Sequence, residues 1–218
     1  MKTDKDLQSD IMAEMDWEPS IHSQDVGVSV HEGVVTLTGT VPTYFEKWAT
    51  EAAVKRVAGV RGVAEELTVN LMADHQRNDT DIAKSLANAL DWSVLVPEGK
   101  VTNTVSNGWV TLSGEVPWKY QSDAAYSAVR NLMGVKNVVN QIVVKSPAVS
   151  TQDVRTKIEE ALKRGAVKET RDIQIEAANG KVTLHGKVHS WDERDNAGHA
   201  AWSAPGVTKV ENDLLVSF

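Results

Sequence analysis

Six histidines are the side chains best suited to ligate a metal or shuttle a proton: His22, His31, His75, His185, His189 and His199. His185 and His189 fall on one face of an extended segment, yet strand rise separates them by about 13 Å, too far to share a metal. Paired acids occur at Glu65-Glu66 and in the run Asp192-Glu193-Arg194-Asp195. No recurring partner accompanies either, and the second reads as the solvated first turn of a helix. The chain has no cysteine, which excludes thiol nucleophiles, thiolate metal sites and disulfides. Glycine-rich phosphate loops and serine elbows are missing as well. The pattern predicts a protein that is not an enzyme and needs no cofactor or metal.

Recognition is the chemistry that remains. Tyr44-Phe45, Trp118 with Tyr120, and Trp191 each stand between a strand-like and a helix-like segment. They are either rings that cap the end of a core or an exposed aromatic edge for a membrane interface or a partner. Trp17 and Trp92, each ending an apolar helical pattern, carry the same two readings. Trp109 has the parity of a solvated sheet face, which suits a contact between units or a partner site. Lys157, Lys163, Arg164, Lys168 and Arg171 form a basic cluster. It reads as a solvated helix end or as a patch for anionic lipid or an acidic partner.

Charge sets limits on these readings. The formal net charge of −7 argues against broad nucleic-acid binding, which needs a cationic surface. It is unevenly shared: residues 1–74 sum to −7, residues 75–147 to +1 and residues 148–218 to −1. The acidic first part would oppose flat adsorption of the whole chain on an anionic surface. No stretch approaches the roughly 18 uninterrupted apolar residues of a membrane span. Met1 to Asp16 lacks an apolar core of signal-peptide length, so a cytoplasmic location is expected.

The elements that position these residues come in three copies. Gly33-Val34-Val35-Thr36-Leu37-Thr38-Gly39, Gly108-Trp109-Val110-Thr111-Leu112-Ser113-Gly114 and Gly180-Lys181-Val182-Thr183-Leu184-His185-Gly186 are offset by 75 and then 72 positions. The same offsets relate Gly59-Val60 to Gly134-Val135 and Gly206-Val207, so the units span 3–71, 78–146 and 150–218. Each opens with a helical apolar stripe: Leu7, Ile11 and Met15; Ile82, Leu86 and Leu90; Val154, Ile158 and Leu162. Thr3 or Asp4, Thr80, and Ser150 or Thr151 are the expected N-caps. A hairpin follows, turning at Glu32-Gly33, Asn107-Gly108 and Asn179-Gly180, with 30 facing 35 and 28 facing 37 in the first copy. Asn103 breaks the apolar alternation in the second copy. A second helix with small residues (Ala53, Val54; Ala125, Val129; Ala197, Ala201) leads to Gly59, Gly134 and Gly206, which fit the left-handed position just past a helix. A third strand closes the unit. The predicted class is α+β, three tandem αββαβ units, each a three-stranded sheet with two helices on one face. The crossover between strands two and three is expected to be right-handed if they pair in parallel.

The glycine-anchored G-x-V-T-L-x-G hairpin, the Ala-rich helix and the closing G-V-x-x-V-x-N-x-L-x-V resemble the BON (bacterial OsmY and nodulation) domain. The third copy carries the pattern most fully, through Gly186 to Trp191 and Ala201 to Leu214. Glu65 departs from it where Asn140 and Asn212 stand. The resemblance implies a non-enzymatic, transport-associated or scaffolding module linked to osmotic or envelope stress. Some members bind anionic phospholipid through a first helix, and others bind ions. The leading expectation is therefore contact with an anionic phospholipid surface or an envelope-associated partner, without nucleic acid. A self-associating homo-oligomeric scaffold and a cytoplasmic ion or small-ligand sensor are the alternatives.

Overall fold

A computed structural model describes residues 2–146, 151–164 and 173–217. The first copy runs α1 (Asp4–Trp17), β1 (Val26–His31), β2 (Val34–Val41), α2 (Tyr44–Arg56) and β3 (Gly62–Val69). The second runs α3 (Asp79–Asp91), β4 (Val101–Ser106), β5 (Trp109–Val116), α4 (Lys119–Val129) and β6 (Asn137–Val144). The third runs α5 (Thr151–Arg164), β7 (Ile173–Ala178), β8 (Lys181–Val188), α6 (Trp191–Trp202) and β9 (Lys209–Val216). The fold is α+β, with a three-stranded sheet in each copy and the hairpin's second strand at its centre.

Turn chemistry sets the register. Glu32, Asn107 and Asn179 have φ of 49°, 55° and 50°, and the glycines that follow them are also positive. That double left-handed turn matches the twist of the strands it joins. Val30 lies opposite Val35 and Val28 opposite Leu37, as the two-residue loop requires. Asn103 faces Leu112 without disturbing the ladder. β2 pairs in parallel with β3, and β8 with β9. On the central strand Val35, Leu37 and Val41 are buried, whereas Thr38 and Thr40 on the other face are exposed. In the third copy the stripes of α5 and α6 join Val182, Leu184 and Val188 in one core.

The first helix is tied to the hairpin tip by an acid in its first turn. Asp4 accepts the backbone N–H groups of Glu32 at 2.8 Å and Gly33 at 3.0 Å. The N-caps are Thr3 and Asn78 rather than Thr80, which lies inside α3. The 75-residue offset puts Asn78 opposite Thr3, each three positions before an aspartate. Thr3 and Asp6 form a reciprocal capping box, and the hydrogen bond from Thr3 lowers the Asp6 carboxyl below its usual range. Residue 150, the other expected cap of α5, lies outside the described residues.

Gly59, Gly134 and Gly206 do take positive φ, but not just past a helix. The helices end earlier, and two successive four-residue turns follow: Val57 N–H to the Val54 carbonyl and Val60 N–H to the Val57 carbonyl, repeated at 129–135 and 201–207. The glycine serves close packing as well, since a Cβ at Gly134 would stand 2.7 Å from the Ile82 side chain.

The chain divides into two compact units, one holding residues 1–115 with 120–143, the other 116–119 with 144–218. Copies one and two thus share the first unit. Tyr44, at the start of α2, links them: it is buried to 8% exposure among copy-two residues that include Ile82, Leu86, Val110 and Leu112, with copy one's Val69 packed against the same core.

Candidate binding surfaces

The aromatic side chains fall into different environments. Trp17 and Trp92, at the same place in the first two copies, are 84% and 89% exposed. Val94 and Leu95, just after Trp92, are also exposed, as is Met12 on α1. Trp109 projects from the outer sheet face opposite Ser106 and is 55% exposed. Tyr120 on α4 is exposed, whereas Phe45, Trp118 and Trp191 are partly buried. The Arg194 guanidinium sits 5.2 Å from the Trp191 ring centre.

On α5, Lys157, Lys163 and Arg164 are exposed. Arg164 reaches Glu160 only at 3.9 Å, while Arg155 holds Glu159 at 2.8 Å. Four cations against three acids leave α5 with a net charge of +1, the basic excess lying at its C-terminal end. Lys168 and Arg171 lie outside the described residues. A second basic group stands on the third sheet, where Lys181 and Lys209 flank Glu211 at 2.6 and 2.8 Å. Hydrogen bonds from the two ammonium groups lower the Glu211 carboxyl to about 2.

A polar clamp between second helix and third strand recurs in every copy. Lys47 donates to Glu65 at 2.9 Å and to the Leu67 carbonyl, while Glu65 accepts the Leu67 N–H. Asn140 donates to Ser122 and accepts from the Ile142 N–H. Asn212 donates to the Arg194 carbonyl and accepts from Leu214 N–H, and Arg194 returns bonds to Leu214 and Asn212 carbonyls. Glu65 therefore fills the asparagine's place by exchanging an amide donor for a carboxylate paired with lysine.

The seam between copies one and two is built from residues that each occur in one copy only. Tyr44 and Tyr126 share a hydrogen bond of 2.8 Å between their hydroxyls. Burial, then that bond, raises the Tyr44 phenol far above the ordinary range. Arg130 lays its guanidinium over Trp48 at 3.6 Å from the ring centre. Where Trp48 stands, the other copies have Asp123 and Asp195; where Arg130 stands, they have Lys55 and Trp202. Periodicity passes over such residues, and their departure from the repeat is the signal that marks them.

Catalytic geometry is sparse. His22 meets the buried Glu46 through its backbone N–H and its Nδ1 at 2.6 and 3.1 Å, which closes the loop between α1 and β1 onto α2. Among the described residues no cluster of three or more His, Asp or Glu side chains could hold a metal ion. No helix among them is long and apolar enough to cross a membrane.

Known proteins place this architecture. Osmotically-inducible protein Y of Escherichia coli K12 is 31% identical over 130 residues, covering 58% of this chain and 65% of that protein. The match thus spans just under two thirds of that relative. Outer membrane lipoprotein DolP of Haemophilus influenzae is 30% identical over 146 residues, 62% of this chain and 72% of that one. CdsD, a type III secretion structural protein of Chlamydia trachomatis, overlaps 97% of this chain and 92% of its own at 15% identity, with a TM-score of 0.28, too low to carry an argument. The BON domain model matches residues 3–70, 78–146 and 150–217. With the hairpin, helix and glycine pattern repeated in each of those segments, the chain belongs to the BON domain family, as a tandem of three such domains.

Proposed function

We propose that this BON protein is a non-enzymatic binding module that docks on anionic phospholipid or on an envelope-associated partner. The observation that carries the reading is the exposure of Trp17 and Trp92 at one equivalent position in two copies, with Val94 and Leu95 extending the apolar surface beside Trp92. Exposed tryptophan with aliphatic neighbours suits a lipid headgroup region or a partner's apolar pocket. The exposed Lys157, Lys163 and Arg164 supply attraction to an anionic surface. A relative called an outer membrane lipoprotein supports work at the envelope in preference to the cytoplasm. One called osmotically inducible supports a part in stress adaptation.

Vesicle co-sedimentation tests the lipid reading. Phosphatidylglycerol vesicles should retain the chain at low salt and release it as salt rises, while phosphatidylcholine vesicles retain less. Replacing Trp17 and Trp92 together by serine should abolish retention. Retention by neither vesicle type would leave only the protein-partner form.

A self-associating scaffold is the second reading. It is favoured by the confinement of the −7 charge to residues 1–74 while α5 presents exposed cations. Light scattering that finds a strict monomer at low salt would dismiss it.

A further inference from the structure

Beside the Trp48–Arg130 stack, a cleft of about 390 Å³ opens between the start of α2 and the turn that follows α4, wholly within the unit shared by copies one and two. Phe45, Leu71, Leu132 and Met133 make its surface chiefly apolar, while Arg130, His75 and the Tyr44 phenol are the ionisable groups that line it. Its size falls at the lower end of small-molecule sites, which typically hold a few converging polar groups in an apolar wall.

Arg130 is left with unused capacity. Its Nε is buried and has no hydrogen-bond partner. Among the described residues no carboxylate pairs with it; its contacts are the faces of Trp48 at 3.6 Å and Tyr126 at 5.9 Å. Stacking satisfies the flat face of a guanidinium and leaves its N–H edge unanswered, because those donors lie in the guanidinium plane. A buried donor without an acceptor is unfavourable, and a planar oxyanion is the acceptor that fits the guanidinium fork.

We propose that this cleft binds a small amphipathic monocarboxylate, its head on the Arg130 edge and its compact apolar body against Phe45, Leu71 and Leu132. The site stands apart from the membrane reading: a chain that ignores vesicles would still take the carboxylate, and one that binds vesicles would not need to.

Octanoate, octanol and acetate, titrated below any micellar concentration into the full chain, separate head from body. Octanoate should raise the melting temperature saturably and move the Arg130 Nε–H resonance downfield, as expected for a ligand confined to the native state. Octanol, which has the body alone, and acetate, which has the head alone, should each bind about tenfold more weakly or worse. Arg130→Met should remove the octanoate response. Because that change also strips the stack from Trp48, Met133→Trp serves as the second variant. Met133 is 55% exposed, so an indole there should fill the cleft and leave the unliganded melting temperature unchanged. Equal responses to octanoate and octanol, an unmoved Nε–H resonance, or an octanoate response that survives Met133→Trp at the same half-saturation would each overturn the proposal.

Discussion

Asp79 holds the hairpin of its own copy by the tip: its carboxylate oxygens accept the N–H of Asn107 at 2.7 Å and of Gly108 at 2.9 Å. These are the two donors that a double left-handed turn points outward, and an acid in the first turn of α3 meets them both. Asp4 repeats the arrangement in the first copy, whereas Thr151 occupies the place in the third.

Removal of that carboxylate should loosen helix and hairpin together. Asp79→Ala is expected to cost about 2 kcal/mol in urea-induced unfolding, since two charge-assisted bonds are lost at a partly exposed site. Asp79→Asn, which keeps one acceptor, should cost about half as much.

Tyr44 should couple the first two copies. Tyr44→Phe removes the bond to Tyr126 and is expected to destabilise by about 1 kcal/mol, and Tyr44→Ala by about 3, because a cavity opens in copy two's core. A cycle with Tyr126→Phe should show a coupling of about 1 kcal/mol. In alkali, Tyr44 should be the last tyrosine to ionise. Its raised value means that the folded chain holds the proton after the unfolded one has released it. The stability this supplies is complete below 10.0 and lost as pH climbs through the raised value, which an ultraviolet titration alongside unfolding measures.

Glu211 should stay ionised in acid. Its carboxyl lies near 2 against an ordinary 4.5, so its contribution is present above 4.5 and disappears as pH falls toward 2. A carboxyl-carbon NMR titration should show that low midpoint, and Lys181→Met should move it upward, Lys181 being the larger influence.

Trp17→Ser and Trp92→Ser should leave thermal stability within about 0.5 kcal/mol of the parent, because the rings are almost wholly in solvent. A loss of vesicle or partner binding in the double variant would then report on recognition and not on folding.

The hairpins were legible because their signals are local: alternation fixes the face, and Asn-Gly or Glu-Gly permits the positive φ that fixes the register. The family pattern was legible for the same reason, being three repetitions of one spacing. Trp109 lay on the outer face its parity indicated. The cap of α3 is Asn78 and not Thr80, and the 75-residue offset from Thr3 is the signal that identifies it. The positive φ that Gly59 and its counterparts adopt suits a helix end, yet the third position of a four-residue turn accommodates it equally. Tyr44 reads from the sequence as a ring capping a core or as an exposed edge, and it is buried. Alternation and helical period, which describe how a segment faces its own sheet, do not say whose core it enters. Its partner is the neighbouring copy's core, a relation of packing that no spacing within a repeat encodes. Arg130 and Trp48 are likewise invisible to periodicity, since each is singular where the repeat supplies the pattern.

The burial of Tyr44 also bears on how such a tandem can change in length. Tyr44 is inherited with copy one, yet the space it fills belongs to copy two. On a nascent chain the ring has no core to enter until synthesis has passed the end of β6. A gene rearranged at the junction near residue 75 would strand a bare phenol on one product and leave a vacant socket in the other. The point where one duplicate ends and the next begins is therefore a poor place to cut, and these two copies travel as a single heritable piece.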